Sequence, residues 1–285
     1  VAAKWVSFPH PSKAYQYTAA KLASSWASLH KGDQEPWPTS ARLTTLAKKQ
    51  PEFAKQVEKH GGAGELADKL VAAWRAFHAG DFGAAIEDAA KLGPLGATAA
   101  NKACGVYATY LERNDRRALE LLEAAIERGE AAVRTLPEYP NAHYMLAFVL
   151  GRYSQRISIL KALAQGHATR VRACLERTLE LEPKHADAHI ALGLFHAEVI
   201  GKVGAIVGSM TYGASKDAAL RHFAQAVKLA PKSAIARVEF AHGLTLLDAK
   251  GNAKRAADLY EEAAAFEAAD AMEHLDIERA KASSR

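Results

Sequence analysis

A recurring triplet of small, large and small residues, spaced four and then three positions apart, runs through the chain. It is cleanest in DAALRHFAQAVKLAP, where Ala219, Phe223 and Ala226 share one face and Pro231 closes the segment. Residues at these spacings stack on one side of a helix. Small residues let a second helix come close, and the aromatic fills the groove between them. Pro231 lacks an N–H and ends the helix. The stretch before it, ADAHIALGLFHAEV, reads as the partner helix, with Leu192-Gly193 at the crossing. The triplet returns at Ala256, Tyr260 and Ala263 in AKRAADLYEEAAAFEA, after the helix and turn IARVEFAHGLTLLDAKGN that begin beyond Ser233. Upstream it appears as Ala118, Leu122 and Ala125 in RRALELLEAAIERG. VRACLERTLELEP is another second helix, ending at Pro183, and AGDFGAAIEDAAKLG sets Ala85 after a Gly-Asp-aromatic turn.

About five helical hairpins follow from this pattern, and stacked hairpins of about 34 residues are the tetratricopeptide (TPR) architecture. The fold class expected is all-α: a TPR-like helical-hairpin array with an N-terminal helical cap and two lengthened apolar hairpins. Residues 1–60 form the expected cap, which covers the open end of an array. Pro9 and Pro11 keep the first residues extended, Ser12 caps a helix running to about His30, and Thr39 or Ser40 caps the next. A glycine-rich loop at 60–64 leads into the array, residues 61–285, read as one continuous unit.

Two hairpins are too long. From Gly193 to Ala219 a standard repeat needs about 12 residues, and here the two are 26 positions apart (193 to 219). The extra sequence, VIGKVGAIVGSMTYGAS, carries Val199, Ile200, Val203, Ile206, Val207, Met210 and Tyr212 between glycines, with Lys202 its only charge. A helix–helix turn is normally short and polar, so this segment is buried, or it covers a cavity, a partner or a lipid surface. The preceding unit is extended at the same place. In LAFVLGRYSQRISILKALAQGHATRV, Tyr153, Ile157, Leu160 and Leu163 recur at helical spacing and form one stripe. Insertions at equivalent positions of neighbouring repeats are expected to emerge on one edge and meet. One reading is a pocket for a hydrophobic ligand, walled by Val199, Ile200, Val203, Ile206, Val207, Met210 and Tyr212 on one side. Phe148, Tyr153, Ile157, Leu160 and Leu163 form the other wall, and Tyr153, Tyr212 or Ser209 gives the polar contact that orients the ligand. The alternatives are a satellite core formed by the two insertions alone, or a protein or peripheral membrane contact.

Charge and chemistry narrow the function further. The net charge of +5 comes from 37 basic and 32 acidic residues with no dense basic block, so nucleic acid is not an expected partner. No uncharged apolar run is long enough to span a membrane. Cys104 and Cys174 sit in helical patterns among apolar neighbours and read as buried small residues; their spacing does not decide whether they pair. The sequence lacks a phosphate-binding GxxxxGK[ST] loop, a GxSxG elbow and an HExxH motif. His185, His189 and His196 share a helical face, but with His185 at a cap position they read as ordinary repeat residues, as do His78 and His143; no metal or cofactor is expected. Acidic pairs such as Glu261-Glu262 read as solvated charge. The expected activity is binding without catalysis.

The degenerate repeats, the extension GRYSQRISILKAL and the glycine-rich apolar insertion before KDAALRHFAQAVKLAP carry a resemblance over residues 65–270. The chain resembles the TPR-containing lipoproteins associated with bacterial TRAP transporters and the helical periplasmic component of bacterial sterol-transport systems. The eukaryotic regulators of microtubule dynamics are similar in a lengthened hairpin followed by a clean second helix. The bacterial resemblance implies a periplasmic, membrane-associated protein that captures or hands over a lipid or sterol in an interior cavity. Its partners would be that hydrophobic molecule and a transporter or periplasmic binding protein. The lipid-bearing N-terminal cysteine of those lipoproteins has no counterpart in this sequence, which begins at Val1. A scaffold that binds only protein partners along its repeats is the alternative.

Overall fold

Three short turns of the same form give the array its register. Pro137-Glu-Tyr-Pro-Asn-Ala-His, Pro183-Lys-His-Ala-Asp-Ala-His and Pro231-Lys-Ser-Ala-Ile-Ala-Arg begin 46 and then 48 positions apart (137, 183, 231). In each, the residue two after the proline donates its N–H to the carbonyl of the residue before the proline. These bonds are Tyr139 to Leu136 at 3.0 Å, His185 to Glu182 at 3.1 Å and Ser233 to Ala230 at 3.0 Å. A first helix of a hairpin then starts, with Ala142, Ala188 and Ala236 buried at equivalent places. His185 caps its helix through Nδ1, which accepts from the Ala188 N–H, and the Ser233 hydroxyl oxygen accepts from the Ala236 N–H. Each cap satisfies a backbone donor that the helix start leaves unpaired.

The computed structural model describes residues 5–158, 161–162 and 165–284, and among them it is helical with no strand. The helices are α1 (Ala19–Leu29), α2 (Ser40–Lys49), α3 (Pro51–Lys59), α4 (Ala63–Ala79), α5 (Phe82–Ala89), α6 (Gly93–Tyr110), α7 (Asp115–Thr135) and α8 (Pro140–Arg156). There follow α9 (His167–Leu181), α10 (Ala186–Val203), α11 (Ala205–Tyr212), α12 (Lys216–Leu229), α13 (Ala234–Asp248), α14 (Ala253–Ala264) and α15 (Ala271–Ser283). The chain divides into two compact units. Unit 1 takes in 5–28, 35–158 and 270–272; unit 2 takes in 29–34, the described part of 159–269, and 273–284.

Unit 1 contains the consecutive pairs α4/α5 and α6/α7, followed by α8. The N-terminal helices are part of the same core. Leu43 of α2 and Phe53 of α3 are buried with Leu66, Leu70, Leu95 and Tyr139. Thr39 caps α2 as the sequence suggests, its side chain accepting from the Arg42 N–H. Ser12 does not start the long helix. It precedes a single 3₁₀ turn, Lys13–Tyr15, and α1 begins at Ala19, where the Thr18 hydroxyl accepts from the Lys21 N–H at 3.2 Å. Between the two, Tyr15 is buried and its carbonyl accepts from the Tyr17 N–H, which keeps the chain from continuing as one helix.

In unit 2, α10 packs on α12 and α13, and α13 on α14. Phe223 is fully buried where these helices cross. A Cβ on Gly193 would lie 2.8 Å from its ring and one on Gly243 2.5 Å, while Phe240 stacks on it with centroids 5.0 Å apart. The two glycines are therefore the space into which the aromatic fits, and Ala219 and Ala226 are as deeply buried beside it. Ala118, Leu122 and Ala125 in unit 1 and Ala256 and Ala263 in unit 2 are buried in the same pattern.

Candidate functional site

The long apolar insertion is helical almost throughout. α10 continues to Val203, and Gly204, at φ +82°, breaks it. The chain then forms the short helix α11, AIVGSMTY, and leaves it at Gly213, φ +62°. Both glycines stand in the left-handed region, where a side chain is disfavoured. α11 lies on α10 through Gly208: a Cβ there would meet Val199 at 3.3 Å, Ala214 at 3.7 Å and Ile200 at 3.8 Å. Its opposite face carries no charge and is open. Ile206 is 77% exposed, Met210 84% and Val207 50%, and Ser209 is exposed beside them. Val199, Ile200, Val203 and Tyr212 are half-buried. In unit 2, then, part of the expected pocket wall packs between α10 and α11, while Ile206, Val207, Ser209 and Met210 face solvent.

Two polar contacts from the body of unit 2 hold the return from α11. The Tyr212 carbonyl accepts from Arg172 Nη1 at 2.8 Å, and Arg172 Nε pairs with Glu176 at 2.8 Å. The Ser215 N–H donates to Nδ1 of His196 at 3.4 Å, and Ser215 in turn caps α12 by accepting from the Ala218 N–H. His196 stacks on His222 with centroids 5.9 Å apart, and His222 Nδ1 lies 2.9 Å from Nδ1 of His189. Burial, reinforced by Arg172, pulls the His196 imidazole down to about 4. Burial and then the neighbouring His189 and His196 pull His222 down to about 4, and burial lowers His189 as well. Sequence spacing finds His189 and His196 on one helix. It does not find His222, which only the α10/α12 crossing brings beside them.

The second expected wall lies in unit 1. Phe148 is half-buried over Gly105, stacked on Tyr144 at 6.1 Å and under the Arg152 guanidinium at 5.3 Å. Tyr153 is buried and its hydroxyl donates to Glu123 at 2.8 Å. The single helical stripe expected through Tyr153 and Ile157 is interrupted, because α8 ends at Arg156 and Ile157 is extended at φ −108°, ψ 167°. Arg156 is anchored there by Asp115 and by the carbonyl of Ala108, and the β-branched Ile157 and the Ser158 that follow are weak helix formers. Leu160 and Leu163 lie outside the described residues.

Unit 1 also has a cavity of about 10 Å³, room for one water at most, lined by residues that include Glu35, Arg42, Leu70, Trp74 and Tyr139. The Glu35 carboxylate accepts there from the Tyr139 hydroxyl at 2.5 Å and the Asn141 amide at 2.6 Å. Burial pushes the Cys104 thiol up to about 11 and raises Cys174, so neither is poised as a nucleophile, and both are free thiols. Among the described residues, no group of three or more His, Cys, Asp or Glu is placed to hold a metal ion, and no helix is long and apolar enough to cross a membrane.

Residues 97–283 match the family described as regulator of microtubule dynamics protein 1-3. The chain belongs to this family. The match spans both lengthened segments and the histidine cluster, and begins within α6. Among solved structures, the chain is similar to TTC0263, a thermophilic TPR protein in Thermus thermophilus. The identity is 18% and the TM-score 0.54, over 77% of this chain and 98% of that one. That likeness is one of fold, and it agrees with the helical hairpins described above. No curated protein sequence matches.

Proposed function

We propose that this protein is a non-enzymatic helical-repeat scaffold that binds a protein partner, with α11 as a principal contact. The observation that carries the reading is the open face of α11, where Ile206, Val207 and Met210 are 77%, 50% and 84% exposed on a helix without a charge. Adjacent large apolar side chains left in water mark a surface that becomes covered. Methionine suits such a surface because it adapts to the shape it meets. Stacked helical hairpins provide the rigid frame, and the family is named for regulating microtubule dynamics, a protein-directed role.

The same uncharged face supports a second reading, in which the occupant is a lipid or sterol, delivered in the periplasm with a transport system or met at a membrane surface. One experiment separates the two. The intact chain and its Ile206→Glu/Met210→Glu variant are cross-linked in cell extract and, separately, sedimented with phospholipid vesicles. A defined protein that the wild type captures and the variant loses, without vesicle binding, supports the scaffold. Vesicle binding lost in the variant, or a stoichiometric lipid in native mass spectra, moves the assignment to the hydrophobic ligand. Equal behaviour of the two chains in both assays removes α11 from either role.

A further inference from the structure

The histidines beneath α11 have a property that the binding reading does not use. A neutral imidazole has one N–H donor and one acceptor nitrogen. The Nδ1 atoms of His189 and His222 face each other across 2.9 Å, so one of them carries the proton that the other accepts. His196 likewise accepts from the Ser215 N–H through Nδ1. A proton added at either accepting Nδ1 sets N–H against N–H where a hydrogen bond stood. Charging both stacked rings, His196 and His222, adds repulsion between them.

We infer that His189, His196 and His222 form an acid-operated latch: neutral, they hold the return at Ser215 against α10, and protonated, they release α11 to move about Gly204 and Gly213. The latch does not depend on what α11 binds.

The surroundings set its direction. From α9, Arg172 and Glu176 face His196, and from α12, Arg221 does; Glu176, the one negative group of the three, is itself paired with Arg172. α11 brings no ionisable side chain except Tyr212. On α13, which also packs on α10, the charged groups are engaged in other pairs. Glu239 binds Arg279 at 2.9 Å and His242 at 3.4 Å, Arg237 binds Glu262 at 2.7 Å, and Asp248 accepts from the Gly251 N–H. Burial and a mostly positive environment thus keep the closed cluster neutral well below the ordinary histidine range. An opened cluster regains the ordinary value, so each fall in pH below about 6.5 favours the open form.

Amide hydrogen exchange on the intact chain, corrected for the pH dependence of intrinsic exchange, tests the latch between pH 7 and 4.5. Protection of residues 204–218 is expected to fall by about tenfold or more, while α6 keeps its protection. The His196→Asn/His222→Asn variant keeps a side-chain acceptor for Ser215 that cannot be charged, and its protection in 204–218 is expected to change little with pH. Because that variant alters packing, the imidazole NMR titrations of the wild type give a second measure. His196 is expected to titrate in step with the loss of protection. Protection of 204–218 that does not change with pH overturns the latch. So does a loss shared equally by α6, an equally steep loss in the variant, or a His196 titration out of step with it.

Discussion

Phe223 shows how single residues decide this fold. Its ring lies against the bare backbones of Gly193 and Gly243 and stacks on Phe240. A methyl group at 243 would have to displace an aromatic that is itself fully buried, and overpacking of that kind costs about 1–3 kcal/mol. Gly243→Ala is therefore expected to lower the denaturant midpoint of the protein, with Phe223→Leu added to it recovering part of the loss. A Gly243→Ala chain as stable as wild type would show that the helices separate more easily than the crossing suggests. The triplet around Phe223 was legible in sequence because its spacing is local. Gly243 was not, since it comes from the next hairpin and nothing along the chain marks which glycine faces which ring.

At the scale of elements, α11 separates stability from binding. Ile206 and Met210 contact little in the folded chain, and substitutions at exposed sites usually change stability by no more than about 0.5 kcal/mol. Ile206→Glu/Met210→Glu is expected to leave the thermal midpoint nearly unchanged while altering whatever α11 binds. A large drop in the midpoint would instead place these side chains in the core, as a satellite core between the insertions requires. The sequence located this insertion by its length and its lack of charge. It read as one greasy segment because composition does not tell a helix extension, a glycine break and a second helix apart. The positive φ of Gly204 and Gly213 makes that distinction. In α8 the error ran the other way: a helical period suggested one stripe through Ile157, where the Arg156 anchors and a weak helix former end the helix.

For the whole molecule, His60, His167, His189, His196 and His222 all hold protons less readily folded than free, with burial the leading cause at each. The unfolded chain then binds more protons than the folded one. The stability these groups contribute is complete above pH 6.5 and is lost as the pH falls toward 4. The free energy of unfolding, measured by denaturant titration, is expected to be lower at pH 4.5 than at pH 7. A level profile would mean that these imidazoles stay solvated in the folded state.

The sequence by itself determined the helical class, the hairpin positions and the residues at their crossings, because helix period, proline stops and small–large–small spacing act over one or two turns. It also marked the two segments that depart from the repeat. Tertiary structure alone decided which side chains of the insertion are covered and that His222 joins His189 and His196. It also turned Ile206 and Met210 to solvent. Those facts depend on which helices meet, and contacts between residues far apart in sequence leave no periodic trace along the chain.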